Sequence, residues 1–318
     1  METGRELFNK FLKREPMFRP PFVPLVRGLT ARIEGMPYEA LTSDPTLWAN
    51  SLSRTAELFG FDGVVAGFQL SLMAEACGCR VTWAKDRPMV LPPAEGGLRE
   101  KPEAWGRMKN VLEAASRVFR TARAERACVA ALTGPVTLAS QLFGKEEGPK
   151  HLGEVKQLIV RVTEAFCQTR PDVLIFMEGK PLGLAEVGIT HRRIYSTLKN
   201  ILSYYNVFSG LYLEGYQHQT VNVFSSLGMD LYVLGPSAQN GFASLSDLWD
   251  LGADALGVGL GLPVDDFHRA KEIINEGLEF YRSKGGRGFF FTSLGPVTRD
   301  TSLETLHKLV NEIRQVRL

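Results

Sequence analysis

The sequence predicts an α/β protein with the architecture of a (β/α)8 TIM barrel, and three observations support this prediction. Eight short apolar runs occur along the chain, amphipathic helical segments separate them, and a helical segment ends the chain. The 318 residues fit one large barrel, and no linker divides them. We therefore expect residues 1–318 to form a single domain.

The apolar runs are continuous rather than alternating, which is typical of parallel strands that are buried on both faces. They cover residues 22–26, 63–67, 127–133, 173–177, 210–213, 231–234, 255–259 and 289–292. The segments between them repeat apolar residues at helical spacing, as crossover helices do. One of these helices is expected to begin at Asp44 and Pro45 and to end at Gly60.

Composition excludes several classes of protein. The chain has 37 Lys+Arg and 35 Asp+Glu, a formal charge of +2, so it offers no general attraction for nucleic acid. It has no apolar stretch of the roughly 20 residues that a membrane span needs. No signal-peptide pattern begins the sequence, and the 4 cysteines form no disulfide framework. A cytoplasmic location is the expectation.

One stretch, residues 83–101, is expected to be an irregular insertion between the second and third strands. Pro88, Pro92, Pro93, Gly96 and Gly97 would interrupt a helix or a strand there. Loops of this length in compact domains often have a function. The insertion is therefore interpreted as a lid, an oligomer arm or a plain surface loop.

Candidate functional residues follow from the barrel prediction, because barrel active sites form at the carboxyl ends of the strands. Residues that follow the predicted strands are therefore expected to lie together at one end of the barrel. They are Arg27, Arg32, Gln69, Thr137, Glu178, Glu214, His218, Gly261 and Ser293.

Glu178, Glu214 and His218 are the candidate catalytic residues. Two carboxylates at adjacent strand ends suit acid/base catalysis, and with the histidine they would also suit a zinc ion. The alternative for Glu178 is an ion pair with Lys180 or a barrel arginine. The alternative for His218 is an ordinary surface or hydrogen-bonding role.

The remaining candidates would bind substrate. Arg27 and Arg32 suit a carboxylated or phosphorylated substrate, because guanidinium binds such groups with two hydrogen bonds; their alternative is pairing with Glu34 or Asp44. Gln69, Thr137 and Ser293 would line the pocket.

Two cysteines, Cys77 and Cys79, are interpreted as packing residues, because no histidine lies near them in sequence.

The order of segments resembles the uroporphyrinogen decarboxylase superfamily, which includes the decarboxylase and cobalamin-dependent methyltransferases. The resemblance extends over most of the chain. It is carried by five short segments, at residues 19–28, 62–78, 134–138, 251–255 and 291–295. It implies a single barrel and a homodimer.

Several residues depart from both branches of this superfamily. Gln69 lies where the decarboxylase has an aspartate that contacts pyrrole nitrogens, and Pro296 lies near the position of its histidine. The methyltransferases bind zinc through a His-x-Cys motif, which corresponds to Tyr212 and Glu214. No cysteine follows residue 167, so a thiolate-rich site is excluded.

The resemblance implies a methyltransferase that moves a methyl group from a small donor, such as an aryl methyl ether, to a corrinoid carried by a partner protein. A zinc site built from Glu214 with Glu178 or His218 would assist this reaction. Two alternatives remain open. One is a diverged uroporphyrinogen decarboxylase, and the other is a non-catalytic barrel that binds a tetrapyrrole or corrinoid.

Overall fold

A parallel sheet forms the centre of the protein, which is described here by a computed structural model. The structure describes residues 2–93, 98–179, 187–238, 241, 245–283 and 288–318. Seven parallel strands pair in the order β1-β4-β5-β6-β7-β8-β9, and β2 and β3 form a separate antiparallel hairpin. The strands are β1 Gly63–Ala66, β2 Cys79–Ala84, β3 Arg87–Pro93, β4 Ala127–Thr133, β5 Val173–Glu178, β6 Phe208–Leu213, β7 Leu231–Leu234, β8 Gly257–Leu262 and β9 Phe289–Ser293.

Helices connect the strands and cover the outer face of the sheet. Their bounds are α1 Gly4–Lys13, α2 Gly28–Ile33, α3 Tyr38–Thr42, α4 Pro45–Phe59, α5 Ser71–Ala76, α6 Gly106–Ala122, α7 Pro135–Phe143, α8 Leu152–Gln168, α9 Ile189–Tyr204, α10 Leu245–Leu251, α11 Phe267–Ser283 and α12 Leu303–Gln315. As expected, the Asp44 side chain caps α4 and Gly60 ends it in the left-handed conformation. Within the described part of the chain, no helix has the length and apolar character needed to cross a membrane.

The α/β architecture with a curled parallel sheet is confirmed, but the first predicted strand is not a strand. Residues 22–26 contact β9 and the loop after it through two isolated bridges, Phe22 to Phe291 and Val26 to Val297. On its other side, the Asp62 backbone N–H donates to the Phe22 carbonyl at 3.0 Å. The segment therefore lies between β9 and β1 without a continuous hydrogen-bonded ladder.

The seventh predicted strand also differs from the prediction, and this changes the position of a candidate residue. The run at 255–259 forms β8 at Gly257–Leu262, so Gly261 lies within the strand rather than after it. Gly261 pairs with Thr292 of β9. The expectation that Gly261 follows a strand end is wrong.

Alternating side chains divide the core into an inner and an outer part. On β5, Val173, Ile175 and Met177 belong to the inner cluster, whereas Leu174 and Phe176 pack with the helices. This alternation is the ordinary period of two of a β-strand. Helix α1 packs against the inner cluster through Phe8 and Phe11, whose rings contact Phe290 at 5.5 and 5.3 Å.

The insertion at residues 83–101 is not wholly irregular, because its first part belongs to a hairpin. Strands β2 and β3 form a hairpin in which Ala84 pairs with Arg87 and Trp83 pairs with Pro88. Proline is tolerated here because both strands are edge strands, where a missing N–H does not break a ladder. The prediction that the prolines prevent a strand is wrong for residues 87–93; Gly96 and Gly97 lie outside the described residues.

A buried ion pair joins the chain before β1 to the segment at residues 20–22. The Arg19 guanidinium binds both Asp62 carboxylate oxygens at 2.7 Å, and each side chain is about nine-tenths buried. The same carboxylate accepts the Phe22 backbone N–H at 2.7 Å. Such a pair is costly to break, because removal of one partner leaves the other charge buried.

We expect Asp62→Ala to lower the free energy of unfolding by about 3–5 kcal/mol, because it leaves the Arg19 charge without a partner. Urea denaturation measures the change. Glu34→Ala is the control, since its partner Arg54 is largely exposed and surface pairs contribute about 0–1 kcal/mol. Equal effects of the two substitutions would contradict a stabilising role for the buried pair.

We also expect stability to decline at alkaline pH. Burial raises the pKa of Tyr38 and Tyr232 to about 12. It also raises the pKa of Tyr195, Tyr212 and Tyr216 above the ordinary phenol value. The folded chain keeps these protons while the unfolded chain releases them near pH 10.

The contribution of these buried tyrosines to the free energy of unfolding is therefore complete below about pH 10, and it decreases as the pH rises further. Urea unfolding at several pH values, with tyrosinate absorbance recorded in parallel, tests this expectation. Ionisation of all 8 tyrosines near pH 10 in the folded chain would contradict it.

Candidate active site

A pocket lies at the carboxyl ends of β5 and β6 and beside the hairpin. Its volume is ≈ 330 Å³, which is at the lower end of the about 300–1,000 Å³ found for small-molecule sites. The residues that form its wall are Arg27, Phe68, Gln69, Leu70, Ser71, Arg87, Pro88, Val90, Gln141, Met177, Tyr212, Glu214 and Pro296. The hairpin therefore contributes directly to the pocket.

Four buried polar atoms of the wall find no hydrogen-bond partner among the described residues. They are Arg27 Nε, Gln69 Oε1, Gln141 Oε1 and the Tyr212 hydroxyl. A buried polar group without a partner is costly, so native structures leave few of them. Their concentration in one pocket indicates a site for a polar ligand.

Tyr212 is the most deeply buried of these groups. It is 1% exposed and points to the inner side of β6, where its ring contacts Phe68 edge-to-face at 5.3 Å. Burial, reinforced by the charge of Glu214, holds the pKa of the phenol well above its ordinary value, and Arg27 opposes this shift. The hydroxyl therefore stays protonated and can donate a hydrogen bond.

Close packing fixes the position of this phenol. A Cβ atom on Gly235 would lie 2.2 Å from the Tyr212 hydroxyl oxygen. Residue 235 must therefore lack a side chain for the ring to reach its place.

Arg27, Gln69 and Glu214, three of the predicted site residues, lie together in the pocket wall. Arg27 precedes α2, and its backbone N–H donates to the Val297 carbonyl at 3.0 Å. Gln69 is 2% exposed and donates from its amide to the Ser71 hydroxyl at 2.6 Å. Glu214 follows β6 directly, and its N–H donates to the Glu178 carbonyl at 2.9 Å.

Glu178 does not face the pocket. It is the last residue of β5 and points to the helix side, where it is 1% exposed. Its carboxylate accepts the backbone N–H groups of Val136 and Thr137 at 3.1 and 2.8 Å, and the hydroxyl groups of Thr137 and Tyr195. The carboxylate therefore anchors the first turn of α7.

The Glu178 carboxylate packs closely against Gly134. A Cβ on Gly134 would lie 2.4 Å from the Glu178 carboxyl carbon. Burial raises the pKa of Glu178, while the hydrogen bonds from Thr137 and Tyr195 lower it. Lys180, the partner considered as an alternative, lies outside the described residues.

His218 also lies away from the pocket wall. Its Nδ1 is 2.9 Å from an Asp247 carboxylate oxygen, and its ring contacts Tyr216 at 5.7 Å. The structure does not bring Glu178, Glu214 and His218 together, and its described residues include no group of three or more His, Cys, Asp or Glu side chains that could hold a metal ion. The predicted zinc ligands therefore do not fit a shared site.

Three predicted substrate-binding residues have structural contacts instead. Arg32 donates to the carbonyl groups of Arg299 and Thr301 at 3.1 and 2.8 Å. Thr137 binds Glu178, and its hydroxyl oxygen also accepts the Gly179 N–H at 2.8 Å. The Ser293 hydroxyl accepts the Leu25 N–H at 2.9 Å. None of the three contributes to the pocket wall.

Burial of the cysteines agrees with their interpretation as packing residues. Cys77 and Cys79 are buried free thiols, and burial raises their pKa to about 12 and about 11. A thiol with a raised pKa is a poor nucleophile at neutral pH.

Four polar residues of the pocket wall were not predicted as site residues: Tyr212, Arg87, Gln141 and Ser71, which begins α5. Tyr212 lies inside a strand, two residues before Glu214. This spacing is the signal that places both side chains on the same face of the sheet. Gln141 lies in α7 and Arg87 in the hairpin, so a search limited to strand ends does not find them.

The comparisons with known proteins concern both sequence and fold. The family model described as uroporphyrinogen decarboxylase (URO-D) matches residues 3–169, just over half of the chain. A methyltransferase from Methanosarcina mazei is 20% identical, with a TM-score of 0.78 over 99% of each chain. No curated protein sequence matches this chain.

A more distant fold relative is a B12-independent methionine synthase from Shewanella sp. W3-18-1, in complex with selenomethionine. It is 11% identical, with a TM-score of 0.61 over 94% of this chain and 96% of the other. At these identities, both structures establish a shared fold.

We expect Glu178→Gln to lower the free energy of unfolding by about 1–3 kcal/mol, because the amide N–H₂ would face donors that now bind a carboxylate. Glu214→Gln is the matched control at the end of the next strand, and we expect it to cost less than about 1 kcal/mol. Thermal and urea unfolding of both variants measure the difference. A larger loss in Glu214→Gln would contradict the anchoring role of Glu178.

Proposed function

Because the chain belongs to the uroporphyrinogen decarboxylase family, we propose that it transfers a methyl group from a small donor, such as an aryl methyl ether, to a corrinoid carried by a partner protein. The observation that carries this proposal is a small pocket at the strand ends, in which four buried polar atoms have no partner among the described residues. The fold shared with the Methanosarcina mazei methyltransferase supports it.

The size of the pocket favours a small donor. A cavity of ≈ 330 Å³ suits a molecule with one ring, whereas a four-ring macrocycle needs more space. The corrinoid would therefore remain outside, as the methyl acceptor that approaches the pocket mouth. Gln69 and Pro296, which replace the acidic and histidine residues of the decarboxylase, also line this pocket.

Three wall residues have distinct tasks in the proposed reaction. Arg27 would bind an anionic group of the donor and orient it. As the methyl–oxygen bond breaks, the methyl group passes to the acceptor and the bonding electrons stay on the oxygen. Glu214, after taking a proton from solvent, would pass it to this oxygen, and the protonated Tyr212 would donate a hydrogen bond to it.

The proposed reaction has no step on zinc, because the candidate ligands do not meet in the described residues. Glu178 anchors α7 and His218 pairs with Asp247, so Glu214 is the predicted catalytic residue that remains at the pocket. Homodimerisation stays a prediction.

We expect the purified chain to demethylate methoxybenzoates in the presence of reduced cobalamin, with methylcobalamin measured by mass spectrometry. Glu214→Gln should slow the reaction by about 10²–10⁴-fold, the usual effect of losing an acid/base group. Glu304→Gln on the exposed face of α12 is the matched control and should leave the rate unchanged.

Equal rates for Glu214→Gln and the wild type would remove Glu214 from the mechanism. Release of carbon dioxide from uroporphyrinogen, without methyl transfer from any donor, would replace the proposal with the decarboxylase. Tight tetrapyrrole or corrinoid binding without either reaction would favour the non-catalytic barrel.

A further inference from the structure

The unpartnered atoms of the pocket fall into two chemical groups. Arg27 Nε and the Tyr212 hydroxyl are hydrogen-bond donors without an acceptor in the described part of the chain. The carbonyl oxygens of the Gln69 and Gln141 side chains are acceptors without a donor there. A ligand that satisfies the whole pocket must therefore both accept and donate hydrogen bonds.

The pocket wall carries more positive than negative charge. Arg27 and Arg87 form no salt bridge with a described carboxylate, and Glu214 is the single acidic residue among the wall residues. Two arginines and one glutamate leave a positive balance. An oxyanion is the acceptor that such a wall favours, because guanidinium binds it with strong charge-assisted hydrogen bonds.

The acceptor group has a defined orientation. The Gln141 amide nitrogen donates to the Leu70 carbonyl at 3.1 Å, and a carbonyl can only accept. The unpartnered atom of Gln141 is therefore its oxygen. The Gln69 amide nitrogen donates to the Ser71 hydroxyl at 2.6 Å, and its carbonyl oxygen has no partner among the described residues. Both oxygens require an N–H or O–H donor from the ligand.

The rest of the wall is apolar. Phe68, Met177 and Val90 lie between the polar residues of the pocket, with Pro88 from the hairpin and Pro296 from the loop after β9. Such a wall suits a short hydrocarbon or aromatic body.

We propose that the ligand of this pocket is a small organic acid that carries a hydroxyl or amino group on an apolar body. Its oxyanion binds Arg27, and its N–H or O–H group donates to Gln141 and Gln69. This inference rests on the proposed function, since it defines the substrate class of the same pocket. It excludes a purely neutral methyl ether as the preferred substrate.

Calorimetry with the full chain and no methyl acceptor tests the two requirements separately. Benzoate has a carboxylate but no hydrogen-bond donor, and phenol has a hydrogen-bond donor but no carboxylate. The three hydroxybenzoate isomers have both groups. We expect at least one hydroxybenzoate to bind about tenfold or more tightly than benzoate and phenol. Equal affinity of benzoate and every hydroxybenzoate, or no binding of any acid, would overturn the proposal.

Substitutions test which residue binds the oxyanion and which residue binds the hydroxyl group of the ligand. Gln141→Leu should reduce the affinity of the best hydroxybenzoate to that of benzoate and leave benzoate unchanged. Arg27→Gln should weaken every acid by about tenfold. The controls are Gln157→Leu on the exposed face of α8 and Arg32→Gln, which lies outside the pocket wall.

A second variant tests the role of the amides if the first variant does not fold. If Gln141→Leu fails to fold by circular dichroism, Gln69→Met removes the other acceptor and should produce the same loss of preference. Retention of the hydroxybenzoate preference in a folded variant that lacks either oxygen would contradict the role of the amides.

Failure of this inference differs from failure of the proposed function. Methyl transfer from anisole at the same rate as from methoxybenzoates that carry a hydroxyl group would remove the substrate class and keep the function. Selective hydroxybenzoate binding without methyl transfer from any donor would keep the substrate class and remove the function.

Discussion

The alternation of side chains along parallel strands is the constraint on which the pocket depends. Glu178 pairs in register with Leu213, so Glu214 lies one residue beyond the partner of Glu178 and faces the other side of the sheet. Met177, Tyr212 and Glu214 consequently reach the pocket, whereas Glu178 enters the helix layer. A shift of one residue in this register would turn one of these two carboxylates to the opposite face of the sheet.

Aspartates at the opposite ends of the strands join three strands to the extended segments that pair with them. Three of them directly precede β1, β5 and β7, and each accepts the backbone N–H of a residue on the preceding extended segment at 2.7–2.8 Å. Each also pairs with a cation. The three pairs are Arg19–Asp62, Arg5–Asp172 and Lys199–Asp230. These three ion pairs stabilise the amino ends of the strands. The carboxyl ends can therefore carry polar groups that have no hydrogen-bond partner among the described residues.

The sequence predicts most of the fold because burial on both faces produces continuous apolar runs, and β4 and β7 begin and end where those runs do. It misplaces β8, whose glycines carry little hydrophobic signal. It finds Gln69 and Glu214 because they follow strands, and Arg27 because it follows the extended segment at residues 22–26. It assigns Glu178 to the wrong face because β5 continues one residue past its apolar run, and it cannot foresee Gln141, whose role depends on how α7 packs beside Leu70.

The hairpin of β2 and β3 has a consequence for how related chains can diverge. Arg87, Pro88 and Val90 belong to a ribbon that pairs with no strand of the central sheet. The ribbon is tied down at its turn, where Asp86 binds Arg299 at 2.6 Å and accepts the Tyr38 N–H at 3.0 Å. Selection can therefore exchange side chains along the ribbon and change which molecules enter the protein, while the sheet and its charged supports stay intact.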